Sequence, residues 1–165
     1  MNDADAVAGE PDTTLDPDRE LALAVRLFGR VWTLLDTDRD GAADLDLLAV
    51  AMASRLHWQA VGDAENHVVG DWMVAHVASR LGYADLALDF AAAAHERVTA
   101  DSADSADPLP AWLLASTQEG LARAHSAAGH TEERDPWVLA ARTTLAGVED
   151  AEDRELIESQ LADIP

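Results

Sequence analysis

Leu81-Gly82-Tyr83-Ala84-Asp85-Leu86-Ala87-Leu88-Asp89-Phe90 is the segment whose reading decides the fold. A glycine ends one apolar-periodic stretch, and an aromatic residue follows eight positions after that glycine, in the next stretch. Glycine supplies the positive backbone angle that commonly closes a helix. Sliding the chain on itself by 47 residues sets Gly82 on Gly129, Phe90 on Trp137, Ala75 on Ala122 and Ala94 on Ala141. Each copy therefore predicts a hairpin of two helices: small residues allow close approach, and the aromatic fills the groove between hairpins.

Outward from that segment, the same periodicity continues. Leu21, Val25, Phe28, Trp32 and Leu35 recur at spacings of 4, 3, 4 and 3, an apolar stripe on a first helix opened by Asp16-Pro17. Asp44 is read as the cap of a second helix bearing Leu45, Leu48, Met52 and Leu56 and reaching about Trp58. A third spans about 64–81 and a fourth about 84–99. Residues 100–110, acidic and repetitive with two prolines, are expected to form a mobile acidic linker between hairpins. A fifth helix covers about 111–128. The sixth is expected to start at Asp135-Pro136, because proline inside a helix forfeits a hydrogen bond. Asp150 caps a short last helix. Residues 1–17 lack periodicity and read as a flexible acidic tail, leaving 18–165 as one helical repeat-like domain.

Composition supports this. Of 165 residues, 34 are alanine and 5% are aromatic, a mix that favours closely packed helices over sheet. There are 21 Asp and 11 Glu against 11 Arg, with no Lys, for a net charge of −21. Such a field repels phosphate backbones and anionic lipid, so neither nucleic acid nor membrane is an expected partner. The absence of Cys removes disulfides and thiolate chemistry. An acidic, non-apolar N-terminal stretch is unlike a signal peptide, and the expected location is cytoplasmic.

The segment 81–90 resembles the turn and second helix of the tetratricopeptide repeat. Over residues 64–146 this resemblance implies right-handed repeat packing, all-α, with antiparallel helical hairpins, about seven helices and a C-terminal capping helix. The second copy departs from the pattern at Arg134 and Pro136. A longer resemblance, across most of 20–164, is to an uncharacterised bacterial family with a Trp-x-Leu-Leu segment, a Ser-Arg-x-His-Trp segment and Gly-x-Trp. Here these are Trp32–Leu35, Ser54–Trp58 and Gly70–Trp72, with Glu152-Asp153-Arg154 towards the end. It implies a shared helical fold and no activity.

Two constellations carry chemistry. Asp36-Thr37-Asp38-Arg39-Asp40-Gly41 matches the opening of an EF-hand loop, with Asp44 at position 9. Asp36, Asp38, Asp40 and Asp44 are thus an alternative metal set. Position 12, however, is Leu47 where a bidentate Glu belongs, so tight calcium binding is not expected. His57, Trp58, Asn66, Trp72 and His76 gather near the turn between the second and third helices as a ligand or partner surface; the same residues serve equally as hairpin filler and helix cap. No catalytic set, phosphate loop or cofactor motif is recognisable. The expected function is therefore a non-enzymatic protein- or peptide-binding adaptor without a cofactor. Divalent-cation or small-ligand binding is the alternative. Two repeats leave an apolar face to be covered by a partner or in a homodimer.

Overall fold

The computed structural model describes residues 16–104 and 109–165, and of 101–104 the backbone alone. Seven helices follow one another: α1 (Pro17–Leu35), α2 (Gly41–Val61), α3 (Ala64–Leu81), α4 (Ala84–Asp104), α5 (Ala111–Ala127), α6 (Thr131–Leu145) and α7 (Ala151–Ala162). No strand occurs among the described residues. Short turns fold α1 on α2, α3 on α4 and α5 on α6 as hairpins, and α7 closes on α5 and α6. The fold is all-α, as expected.

The two glycine turns behave alike. Gly82 has φ 77° and Gly129 φ 75°, the left-handed region where a side chain costs energy. At the first, the amides of Tyr83 and Gly82 donate to the carbonyls of Ala78 and Ser79. At the second, those of His130 and Gly129 donate to His125 and Ser126. Both are Schellman closures of the same register. Ala75 and Ala122 are fully buried, as are Ala94 and Ala141, while Phe90 and Trp137 are each half-buried. Positions 47 apart thus share environments.

Three expectations need correction. Asp40, not Asp44, caps α2: its carboxylate accepts from the Ala43 amide at 3.0 Å, and the helix begins at Gly41. The capping oxygen belongs to the first Asp that precedes a helix-compatible run, and Gly41-Ala42-Ala43 is such a run. α4 continues to Asp104, five residues beyond its expected end, because nothing before Pro108 breaks it. The expected linker is thus partly helix; its residues 105–108, like the tail residues 1–15, lie outside those described. Finally, α6 starts at Thr131 with Pro136 inside it. The Arg134 amide donates to the His130 carbonyl at 2.9 Å, so the first turn forms despite the donor missing at Pro136.

Packing divides into three zones. In the middle one Ala75, Ala78, Ala87, Ala91 and Ala124 meet, and such small side chains let α3, α4 and α5 approach closely. Beyond α5, Ala141, Leu145, Ile157 and Leu161 join α6 and α7. On the other side, Val31, Leu47, Met73 and Leu113 are ringed by Phe28, Trp32, Trp72 and Trp112. There bulky rings, rather than alanines, set the spacing. Asp71 holds that zone from the side: its fully buried carboxylate pairs with Arg55 of α2 and, at 2.7 Å, with Arg97 of α4.

Candidate functional site: an aromatic pocket between four helices

Where rings set the helix spacing, a cavity of about 320 Å³ remains between α1, α3, α5 and α7. Phe28 and Trp32, one turn apart, form the α1 wall, and Val69 and Trp72 form the α3 wall. Trp112, Leu113 and Ser116 line it from α5. From α7 come Asp153, Leu156, Ile157 and Gln160, whose spacing of 3, 1 and 3 puts them on one helix face. The rings are in contact: Trp32 and Trp72 centroids stand 6.1 Å apart, and Phe28 meets Trp32 edge-on at 6.2 Å. Trp72 in turn needs Gly120 behind it, because a Cβ there would lie 3.0 Å from Trp72 Cδ1. That is the close approach this α5 glycine permits.

Behind the wall sits a buried polar group of residues. His76, one turn after Trp72, packs at a tilt against Trp32, ring centroids 5.7 Å apart, and Trp72, 5.3 Å apart, and neither ring nitrogen has a hydrogen-bond partner. Burial, and then the charges of Arg123 and Arg80, lower its pKa from 6.5 to about 3, so the ring is neutral. Glu119, fully buried, accepts from Arg123 Nε at 2.7 Å. Burial nonetheless raises its carboxyl above the usual range, against the pull of Arg123. The Trp72 indole N–H lies near enough to favour the Glu119 carboxylate, although the two do not meet hydrogen-bond geometry. The Arg123 guanidinium also donates to the Gln160 carbonyl at 2.6 Å, which fixes α7 against α5.

Comparison of the chain with family models, curated proteins and solved structures found no significant match. The site therefore rests on its own chemistry. Its polar lining amounts to one hydroxyl, one carboxylate and one amide (Ser116, Asp153 and Gln160) set among aromatic and aliphatic walls. Few polar groups in an apolar concavity suit the orientation of a bound molecule.

The residues singled out in the sequence are only partly brought together. Trp72 lines the pocket and His76 backs it. Trp58 is buried against Phe28, ring centroids 5.1 Å apart, next to the pocket but outside its lining. His57 turns to Glu20 of α1, Nδ1 to Oε1 3.1 Å. Asn66 belongs to a capping box: its amide donates to Asp63 at 2.9 Å, and its side chain accepts from the Asp63 amide at 3.3 Å. Phe28, Trp32, Trp112 and the α7 face were missed as site residues. Their stripes were visible, but as core.

The Asp36–Gly41 segment is committed to helix ends. Asp40 caps α2, and Asp44 pairs with Arg39 Nε at 3.0 Å. The Arg39 guanidinium also donates to the carbonyls of Leu34 and Thr37, at the exposed end of α1. A cation would have to displace this arginine from Asp44. Among the described residues no three His, Asp or Glu groups converge as a ligand set. Calorimetric titration with calcium is expected to give millimolar affinity or weaker, unchanged in Asp38→Ala. Micromolar binding lost in that variant would overturn this.

Proposed function

We propose that the chain acts by binding rather than catalysis, and that the pocket between α1, α3, α5 and α7 receives a small, mainly apolar ligand. The observation that carries this reading is a cavity of about 320 Å³ walled by Phe28, Trp32, Trp72 and Trp112. That volume lies at the lower end of the range for small-molecule sites. It suits a compact molecule and is too small for a partner helix, one turn of which, about 10 Å across and about 5.4 Å long, would overfill it. His76 and Glu119, the groups with the most displaced protonation, stand behind the wall and outside the lining, where they shape the pocket without meeting a substrate.

An adaptor function of the helical-hairpin type is the second reading, favoured by a different surface. Glu20 and His57 bring the start of α1 beside the end of α2, and there Leu21, Val25 and Leu56 are exposed. A peptide or a second copy of the chain would cover such an apolar face. No helix among the described residues is long and apolar enough to cross a bilayer.

Indole fluorescence separates the two. Three of the five tryptophans line the pocket, so saturable quenching or a blue shift with small aromatic probes is expected. Val69→Trp, which puts bulk into the cavity from a half-buried position, should abolish it while leaving the melting temperature within a few degrees. A response that survives Val69→Trp would move the binding site to the α1–α2 surface.

A further inference from the structure

We infer that the ligand of the aromatic pocket is an apolar organic cation, an ammonium head on a compact hydrocarbon body, held over indole faces with Asp153 at the rim. This rests on the small-ligand reading and adds the charge of the ligand to it.

Four observations converge. The walls offer three indoles and a phenyl ring, whose faces carry the negative end of the aromatic quadrupole. Phe28, Trp32 and Trp112 are half-buried, so some of their surface remains for a ligand to cover. The lining holds no Arg, Lys or His, and its only ionisable group is the Asp153 carboxylate. Negative charge accumulates nearby: Glu65, one turn before Val69 on α3, makes no ion pair among the described residues and is held above its ordinary pKa by burial and then by Asp63 and Asp153. A positive head between these carboxylates relieves that repulsion.

Gln160 adds to these four. Its side chain lines the pocket with only 8% of the residue exposed, and neither amide oxygen nor nitrogen has a partner. Leaving such a group unsatisfied is costly; the amide is buried at the cavity wall, and a turn of the side chain would offer its oxygen to an ammonium N–H or to the polarised C–H groups beside a quaternary nitrogen. The two nearby arginines lie outside the lining, and each has a carboxylate partner. Arg123 is paired with Glu119 at 2.7 Å, and Arg80 with Asp163 at 3.0 Å. The overall charge of −21 further raises the local concentration of cations.

The test is calorimetry on the full chain with three matched probes: 3-phenylpropyltrimethylammonium, its uncharged tert-butyl isostere, and a phenylalkyl carboxylate of equal length. At an ionic strength of about 50 mM, the cation should bind at least tenfold more tightly than the isostere, with the gap narrowing in about 0.5 M salt. Asp153→Asn should weaken the cation severalfold, leave the isostere unchanged and keep the melting temperature. Val69→Trp should abolish cation binding. Equal affinity for cation and isostere, or preference for the carboxylate, overturns the charge inference and leaves the pocket reading standing. No binding of any probe overturns both. Cation binding indifferent to Val69→Trp or Asp153→Asn places the charge preference elsewhere on the acidic surface and overturns the inference too.

Discussion

Replacing Asp71 with alanine is expected to lower the stability of the fold by about 3 kcal/mol, the scale of removing one member of a buried ion pair. Asp71 lies on α3 with its carboxylate wholly buried, while Arg55 approaches from α2 and Arg97 from α4. One residue thus joins three helices. The two arginines do not contribute equally. The Arg97 side chain is 41% exposed, so its charge returns to water at small cost, and Arg97→Ala should cost under about 1 kcal/mol. The Arg55 side chain is 22% exposed and lies over the Phe90 ring, 4.9 Å from its centroid. Without Asp71 it is left as a half-buried cation between helices, and the larger share of the loss arises there. Urea denaturation reads the result, since a fall in midpoint at unchanged slope reports stability alone. Asp71→Ala and Arg97→Ala within a few tenths of a kcal/mol of each other would show that the carboxylate is not the tie. The effect should also reach the pocket, because Trp72 is the next residue and its ring forms the α3 wall.

How the sequence announced this fold, and where it fell silent, follows from which interactions are local. Gly82 and Gly129 were legible because a left-handed closure is decided within six residues, and both adopt it. Ala75, Ala94, Ala122 and Ala141 were legible as close-approach positions because only small side chains allow neighbouring backbones so near. The failures are competitions between local signals. Asp40 and Asp44 both offer a capping oxygen, and the earlier one won because three helix-compatible residues follow it. Pro136 sits inside α6 because packing of Trp137 and Ala141 against α5 outweighs one missing donor. Acidic low complexity made 100–104 look like a loop, yet neither Pro nor Gly interrupts them, and α4 runs on.

The pocket was legible only in pieces. Phe28, Trp32 and Trp112 fit the apolar stripes of α1 and α5 as core residues do, and nothing in their spacing says that the rings stop short of filling the space. Their convergence depends on α7 folding back over α5, directed by the bond from Arg123 to the Gln160 carbonyl, 37 residues away. Asn66 and His57 illustrate the opposite error. Asn66 has its partner Asp63 three residues away, His57 meets Glu20 across the α1–α2 hairpin, and neither side chain lines the pocket.

Acid should destabilise the fold through His76, and the sign and window follow from its burial. The ring is 2% exposed, lies between Trp32 and Trp72, and has its pKa lowered from 6.5 to about 3. Unfolded, the imidazole takes up a proton as pH falls through 6.5; folded, it refuses one until about 3. The unfolded state therefore binds more protons in that window, and stability is full above 6.5 and lost progressively down to about 3. At about 1.36 kcal/mol per pH unit, the loss between pH 7.5 and 4.5 is roughly 2.5 kcal/mol. His95 and His125 are also lowered, chiefly by burial, and push in the same direction. Glu119 opposes them: its carboxyl is raised, so the folded state gains a proton first and is stabilised as pH falls through that raised value. A comparison of the parent chain with His76→Phe isolates the histidine, because the phenyl ring can keep the packing against Trp32 and Trp72 while removing the titration. The parent should lose stability more steeply than the variant from pH 6.5 downwards, and the two denaturation midpoints should converge or cross near pH 4.5 even if His76→Phe is the less stable at pH 7.5. Parallel curves across that window would mean that His76 accepts its proton in the fold as readily as in water, and that the wall behind the pocket is open to solvent.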